Sequence, residues 1–556
     1  MRYRMGVCCL AVFILLSGCV GGALEETSPF GSEPPEPTTD DYAFEEVSAE
    51  ANLEYESIGI GAINGNDGIY AVDYTNDLET DLLAIGGGQP VLFENVDGEF
   101  ERSDDLPPVE GTVQGALFVD HDNDGWEDLF LLRRGDTPVF LENDEGTFRE
   151  RDVGFDDEFV VPVSATAADA TGNGCPDVFV IDYNDWLDEQ PMGWQHYLNL
   201  TAEEDNGQPN ALYYGDCDGF ERVDDAGIEG EHWSMATSFV DLTGDGNPDI
   251  HVANDFFEDE VYYNAGDGTF EREYLGEATD RNGMSSQAVD VTGDGQLELF
   301  VTNIYFPQSR WAEIPDSQRQ LFVDFMTSRI GDRNQGNNLL VRTEDGFEDQ
   351  AAERGLNEGG WGWGSAVEDF DSDGQVDVFH ATQFEVRFDG DEPTFVRAML
   401  FAQQDGEFHR LNTSEIGFEE VDERGVAALD YDTSGSMDVA VAANDARYRL
   451  YSNDGDQGDS LQVVVGGSET LEQTTLGTTV EATADGETQL RVRNARADYQ
   501  SQDTRTLHFG FGEAETVDEL RVTWPDGTER TFEDVETGQR IFVTPDGIEQ
   551  RQPYSP

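Results

Sequence analysis

Seven copies of one short acidic loop, each running directly into an apolar strand, constrain this chain more than any other feature of its sequence. The second copy places oxygen-bearing residues at loop positions 1, 3, 5 and 9 and glycine at position 6, namely Asp120, Asp122, Asp124, Asp128 and Gly125. Side-chain oxygens at alternating positions suit one hard cation, and glycine permits a sharp turn. Seven copies in one register indicate a repeat protein.

The other copies follow the same rule. The expected cation ligands of loops 3 to 7 are Asp169, Thr171, Asn173 and Asp177; Asp241, Thr243, Asp245 and Asp249; Asp290, Thr292, Asp294 and Glu298; Asp369, Asp371, Asp373 and Asp377; and Asp430, Asp432, Ser434 and Asp438. Loop 1 keeps the ligand positions as Asp73, Thr75, Asp77 and Asp81, but Leu78 replaces the glycine. A left-handed turn strains leucine, so loop 1 is predicted to be the weakest of up to seven structural Ca²⁺ sites.

A single copy has a metal-free alternative, an ordinary Asp-Gly hairpin turn. Carboxylates packed this closely repel one another unless a cation lies between them, so seven copies favour metal at most sites. An EF-hand needs flanking helices and a glutamate at position 12. The runs that flank these loops are rich in Val, Phe and Leu, which indicates strands instead.

Each repeat has a second half, consisting of an apolar pair, a turn, a glycine and an aromatic residue, as in 92–100, 140–148 and 262–270. Two strands around the acidic loop and two around this turn make a four-stranded unit, and such units arranged radially make a propeller. The predicted fold is therefore all-β, with a seven-bladed β-propeller over 42–458 and a small C-terminal β-sandwich over 460–548. Residues 44–47 are expected to close the ring by adding a strand to the last blade.

These repeats resemble the FG-GAP/VCBS repeats of integrin α-subunit-type propellers, in which the acidic loops bind calcium. The phrases at 361–369 and 263–270 are similar to those of the cartilage acidic protein family, and the phrases at 508–512 and 517–527 resemble its closing ASPIC/UnbV domain. The chain departs from that family at Ala497 and Asp498, where a glycine-rich run usually precedes the Ser-Gln pair at 501–502. The resemblance implies a fold and a metal, but no settled reaction.

The charge balance is extreme, with 119 acidic residues against 30 basic ones and a net charge of −89. The chain contains no lysine, so every basic residue is arginine. Such self-repulsion is screened within about 3 Å in molar salt, which indicates a halophilic surface. An acidic disordered chain is excluded by the 11% aromatic content and the strand pattern. Nucleic-acid binding is excluded because the sequence has no basic patch.

The N-terminus reads as a targeting segment. Arg2 and Arg4 precede a short apolar run that ends in Leu-Ser-Gly-Cys19, which resembles a lipoprotein signal over 1–18 with lipidation at Cys19. A plain secretory signal is the alternative. Residues 19–41 are acidic and proline-rich and are predicted to be an extended tether. We therefore expect an exported protein on the cell surface that contacts the membrane only through its lipid anchor.

Two cysteines, Cys175 and Cys217, remain outside the signal. An exported chain permits a disulfide between them, and two free buried thiols are the alternative.

No zinc-type histidine pair, nucleophile elbow or phosphate loop occurs, so no catalytic residue is predicted. The expected function is a cell-surface calcium-binding module for adhesion or for binding a glycan or a surface protein. The alternatives are an extracellular polysaccharide-acting enzyme, with catalytic groups in the insertions at 183–211 and 303–338, and a non-catalytic scaffold of a surface complex.

Overall fold

The computed structural model describes residues 41–555 except 59–66, 184–206, 229, 306–318, 321–322, 324–326, 328–334, 344–345, 383–386, 390–391, 395–397, 420, 445, 456 and 468–472. Strands dominate this part of the chain, which also contains a 3₁₀ helix at Gly276–Ala278 and an α-helix at Ala351–Arg354. None of the described helices is both long and apolar enough to cross a membrane.

Seven antiparallel sheets of four consecutive repeat strands follow one another along the chain, and we number them 1 to 7. The strands of sheets 1 to 4 are Asp67–Val72, Asp81–Gly86, Val91–Val96 and Glu99–Arg102; Val113–Val119, Asp128–Arg133, Val139–Asp144 and Thr147–Glu150; Pro162–Ala168, Asp177–Asp182, Ala211–Gly215 and Phe220–Val223; and Ser234–Val240, Asp249–Asn254, Glu260–Asn264 and Phe270–Tyr274.

Sheets 5 to 7 continue the pattern with one exchange. Their strands are Gln287–Val289, Glu298–Val301, Asn338–Thr343 and Gly346–Asp349; Gly362–Glu368, Asp377–Thr382, Met399–Gln404 and Glu407–Arg410; and Glu423–Leu429, Asp438–Ala443, Arg449–Asn453 and Phe44–Glu46. A small hairpin of Arg387–Asp389 and Glu392–Thr394 lies between the second and third strands of sheet 6.

The seven sheets form a closed ring. The first strand of each sheet packs against the first strand of the next, and the first strand of sheet 7 packs against that of sheet 1. The first two strands of the sheets are almost completely buried, whereas the fourth strands are largely exposed except at the aromatic residue of the glycine turn, such as Phe100 or Phe148. Apolar strands thus face the ring centre and polar strands face solvent, and the predicted all-β propeller is confirmed.

The ring is closed by the N-terminal strand, as predicted. Phe44–Glu46 pairs antiparallel with Arg449–Asn453, so one sheet is built from both ends of the repeat region. The Phe44 amide donates to the carbonyl oxygen of Ile416 at 2.7 Å. Gly417 has φ +107°, and a Cβ placed on it would lie 1.6 Å from the Phe44 carbonyl oxygen. The closing strand therefore approaches the chain at a point where only glycine fits.

The C-terminal domain, residues 460–555, contains two four-stranded sheets packed on a shared apolar core that includes Trp524. One sheet is ordered Leu507–Gly510, Ser460–Val465, Gln539–Thr544 and Gly547–Pro553, and the other Glu487–Arg493, Thr478–Ala484, Thr516–Thr523 and Glu529–Glu536. This is the predicted β-sandwich.

A segment of the C-terminal domain enters the ring centre. Residues 494–506, which we name the central hairpin, carry the short strands Ala497–Asp498 and Ser501–Gln502, and the second of these pairs in parallel with Ile69 and Tyr70 of sheet 1. Gln502 exchanges two hydrogen bonds with the backbone of Phe118 in sheet 2, at 3.0 and 3.2 Å. The hairpin thereby extends sheet 1 and fills the centre of the ring.

The central hairpin contacts the first strands of the other sheets as well. Backbone amides of Ser286, which immediately precedes sheet 5, and of Ser365 in sheet 6 donate to the two carboxylate oxygens of Asp498 at 2.8 and 2.9 Å. The Ala428 amide in sheet 7 donates to Asp503 at 2.9 Å, and the Ser164 hydroxyl in sheet 3 donates to the Asp498 carbonyl at 3.0 Å. Contact with sheet 4 completes the circle.

Replacing Gly417 by alanine is expected to lower the Tm for two reasons. Alanine is strained in a left-handed backbone, and its Cβ would also collide with the Phe44 carbonyl. Gly486→Ala is the matched control, since Gly486 has φ +89° and no heavy atom within 4 Å of its Cβ position. Thermal unfolding of both variants measures the difference. Equal losses of Tm would contradict the role assigned to the closing strand.

Asp498→Asn should destabilise the protein, because the asparagine amide group cannot accept the hydrogen bonds that its lost oxygen accepted. Burial raises the pKa of Asp498 to about 6. Since the unfolded pKa is about 3.9, the contribution of this carboxyl to stability falls as pH rises from about 4 to 6.

The Tm gap between wild type and Asp498→Asn should therefore be wider at pH 4.5 than at pH 7.5. Asp104→Asn, at an exposed carboxylate, is the control for a general charge effect. A gap that is the same at both pH values would argue against the buried acceptor role of Asp498.

Candidate metal centres and the interdomain face

All seven acidic loops share one hydrogen-bond pattern, which begins at the aspartate of position 1. Its two carboxylate oxygens accept the backbone amides of positions 5 and 6 at 2.7–3.2 Å. The aspartates concerned are Asp73, Asp120, Asp169, Asp241, Asp290, Asp369 and Asp430. The carboxylate of position 1 thus holds the loop in a tight turn.

The backbone of each loop is left-handed at positions 4 and 6. Position 6 has φ between +82° and +99° in the six loops that carry glycine there, and Leu78 of loop 1 has φ +73°. The predicted left-handed leucine is therefore present. Its amide still donates to Asp73 at 3.0 Å, so loop 1 keeps the shape of the others at the cost of a strained backbone.

Position 9 ties the loop to its own sheet. Its carboxylate accepts the amide of position 2 in every loop, and in six loops it also accepts an amide from the third strand, at 2.7–3.2 Å. The residues at this position are Asp81, Asp128, Asp177, Asp249, Glu298, Asp377 and Asp438. These carboxylates therefore hold the sheet together as well as facing the loop.

Three loops bring three carboxylates close enough to share one ion. The ligand atoms lie within 4.8 Å of one another in loops 2, 6 and 7, namely in Asp120, Asp122 and Asp124; in Asp369, Asp371 and Asp377; and in Asp430, Asp432 and Asp438. The all-oxygen donor sets fit a hard divalent cation such as Ca²⁺. In loop 2, His121 also lies 2.6 Å from Asp128 through Nδ1 and forms a second group with Asp122 and Asp128.

Burial makes these carboxylates hard to ionise without a compensating charge. Burial, reinforced by neighbouring aspartates, raises the pKa of Asp369 and Asp377 in loop 6 well above the usual value. It raises the pKa of Asp249 and Glu298 to about 7. A cation bound among them would favour the ionised form.

Tyr42 was not among the expected site residues. Its buried hydroxyl donates to Asp371 at 2.9 Å and lies 3.2 Å from Asp377, so the N-terminal segment covers loop 6. The C-terminal domain covers it from another side, because the Gly512 amide donates to the Ser372 carbonyl at 2.8 Å. Loop 6 is therefore enclosed by the segment that precedes the closing strand and by the C-terminal domain.

In sheets 1, 2, 4 and 7, an asparagine links the sheet to the acidic loop of the preceding sheet. The side-chain amides of these asparagines donate to the carbonyl oxygen of loop position 2 at 2.7–3.0 Å, in the pairs Asn95 with Tyr431, Asn143 with Tyr74, Asn264 with Ala170, and Asn453 with Phe370. The recurrence of asparagine in the second half of the repeat is the sequence signal for this role.

Buried arginines of the C-terminal domain face the acidic loops. Arg493 and Arg505 both pair with Glu127, Arg496 pairs with Glu368, and Arg540 pairs with Asp430. Burial alone would raise the pKa of Glu127, but the two arginines hold it below its ordinary value. Sequence reasoning missed these residues because their partners lie more than one hundred positions away.

The structure describes one of the expected cysteine sites but not the other. Cys175 and Cys217 form a disulfide with Cα atoms 5.2 Å apart, which joins loop 3 to the last turn of sheet 3. The expected lipidation site Cys19 lies outside the described residues, as do 184–206 and 306–318 of the two insertions.

Comparisons with known proteins agree with this arrangement. The profile of the FG-GAP-like repeat matches residues 120–180 and 241–301, and the ASPIC and UnbV profile matches residues 468–550. No curated protein matches the chain.

Among solved structures, the WD40 domain of Toxoplasma gondii coronin aligns with a TM-score of 0.42 and 10% identity, over 75% of this chain and 88% of that one. BBS1N, from its complex with ARL6DN, aligns with a TM-score of 0.27 and 12% identity, over 42% of this chain and 61% of that one. Neither alignment is close enough to carry an argument. The matched profiles, however, show that this chain combines FG-GAP-like repeats with a C-terminal ASPIC/UnbV domain.

Proposed function

We propose that this protein is an exported, calcium-stabilised propeller that acts as a non-catalytic binding or adhesion module on the cell surface. The observation that carries the proposal is the filled ring centre. The central hairpin occupies it, and both carboxylate oxygens of Asp498 are used there in buried hydrogen bonds. A ring fastened in this way is a rigid platform rather than an open cavity for a substrate.

Calcium serves structure in this proposal. The donor sets of loops 2, 6 and 7 are the best assembled, and loops 3, 4 and 5 offer the same oxygen chemistry with fewer carboxylates drawn together. A cation in a loop stabilises the ionised form of carboxylates whose ionisation burial opposes, and it fixes the turn between two buried strands. No chemical step is assigned to it.

The binding surface is expected at the end of the ring opposite the acidic loops. In sheet 3 the acidic loop follows Ala168, whereas the second and third strands meet at the other end, where Val180 pairs with Ala211. The acidic end is covered by the C-terminal domain through its arginines. Loops on the uncovered end are therefore the natural place to contact a glycan or a surface protein.

Salt and anchorage complete the proposal. The net charge of −89 with no lysine supports function in concentrated salt, where mutual repulsion is screened. The Leu-Ser-Gly-Cys19 sequence supports a lipid anchor, with residues 19–41 as a tether to the membrane.

An extracellular polysaccharide-acting enzyme would need its catalytic groups in the insertions at 183–211 and 303–338. The described parts of the chain provide no specific support for it, and the ring centre is occupied by the hairpin. A scaffold within a surface complex uses the same platform and differs only in its partner.

Chelation of calcium should lower the Tm markedly at high salt, because ligand release removes the stabilisation that binding supplies to the folded state. Thermal unfolding in 2 M NaCl, with EGTA and then with excess Ca²⁺, measures the loss and its recovery. Asp371→Ala should remove one Ca²⁺ and leave the other sites nearly intact, since repeats couple mainly to neighbours. A Tm indifferent to EGTA would refute structural calcium.

The binding role is tested with the calcium-loaded protein on arrays of glycans and of cell-surface proteins in concentrated KCl. Specific, saturable binding to one class is expected, and deletion of an insertion should abolish it while the Tm of the ring remains. Processing of a polysaccharide chain, detected as new reducing ends, would favour the enzyme instead.

A further inference from the structure

Loop 1 has the same kinds of oxygen ligands as the other acidic loops, but its carboxylates do not lie close together. Its carboxylates Asp73, Asp77 and Asp81 do not form a group within 4.8 Å, unlike those of loops 2, 6 and 7. The Thr75 hydroxyl points back to Asp81 at 3.4 Å. Leu78 replaces the glycine with a strained backbone. The carboxylates of loops 4 and 5 do not form such a group either. Loop 1 differs from loops 4 and 5 in a second feature.

This second feature is Arg540, which contacts the turn of loop 1. Its side chain is only 1% exposed, and its guanidinium donates to the backbone carbonyl of Leu78. The same group donates to Asp430 of loop 7 at 3.1 Å and to Gln462 at 2.8 Å. An arginine of the C-terminal domain is thus buried between the first and the last acidic loops.

The guanidinium of Arg540 reaches loop 1 at its turn, through the backbone carbonyl of Leu78. A guanidinium cannot lose its charge in a protein, and its planar fork satisfies several oxygens at once. It therefore supplies a permanent positive charge beside the Leu78 carbonyl of loop 1 and beside Asp430 of loop 7.

We propose that Arg540 is the resident cation of loop 1, so that this loop binds the C-terminal domain instead of a metal ion. The position of Arg540 suggests why an arginine replaces a metal ion here. Sheets 1 and 7 are the neighbours at which the ring closes, and Arg540 contacts the acidic loop of each. One side chain thus fastens the ring closure and docks the second domain.

The test compares matched aspartates at position 1, using Ca²⁺ alone as the probe. In both loops this aspartate accepts the amides of positions 5 and 6, so Asp73→Asn and Asp120→Asn disturb the backbone in the same way. Calcium bound per chain is measured by equilibrium dialysis and metal analysis. Asp120→Asn should lose one Ca²⁺, whereas Asp73→Asn should bind as many as wild type. Loss of one Ca²⁺ from folded Asp73→Asn overturns the proposal.

The metal count rests on the calcium binding proposed above, and a second readout does not. In EGTA, Arg540→Met should lower the Tm because it leaves buried carboxylates without their counter-charge. Asp73→Asn should then cost less in the Arg540→Met background than in wild type, because it removes one of those carboxylates.

Additive losses of Tm would overturn the role of Arg540 even if no variant binds calcium. If wild type binds no Ca²⁺ while the two substitutions remain coupled, the proposed calcium function fails and the assignment of Arg540 stands.

Discussion

Compensation of buried negative charge is the constraint on which this structure depends. The acidic loops place carboxylates between buried strands, where desolvation opposes ionisation, as in Asp377 and Asp438. Backbone amides supply part of the compensation at positions 1 and 9 of every loop. Arginines from the C-terminal domain supply another part, and the negative charge that remains in loops 2, 6 and 7 is the reason for proposing that they bind calcium.

The same constraint explains why the two domains are not independent. A chain of 556 residues with only 30 arginines and no lysine buries Arg493, Arg496 and Arg540 against the propeller. Buried ion pairs contribute little net stability over apolar contacts, but breaking one leaves an uncompensated charge. They therefore specify how the domains dock, while the central hairpin contributes the hydrogen bonds and the packing of Tyr499 on Trp363, with ring centroids 5.0 Å apart.

The repeat could be predicted because its information is local. Loop positions 1 to 9, the glycine turn and the left-handed Leu78 all lie within a few residues of one another, and the strand pattern follows from apolar runs. The path of residues 494–506 into the ring centre could not, because a hairpin with Asp498 and Gln502 reads as an ordinary polar turn. Its partners, such as Phe118 and Ser286, lie hundreds of positions away. Ala497 and Asp498, which replace the glycine-rich run of the family that the sequence resembles, marked the segment without revealing its role.

The loops consequently need not be equivalent, although they share one backbone. Loop 6 is enclosed by Tyr42 and by the C-terminal domain, so an ion there would be shielded from solvent by both. Asp245 of loop 4 is exposed, so exchange of an ion with solvent should be faster there. Because sites near the two chain ends are tied to domain docking, loss of their ions would loosen the ring at its closure, between sheets 7 and 1, before it affected the opposite side.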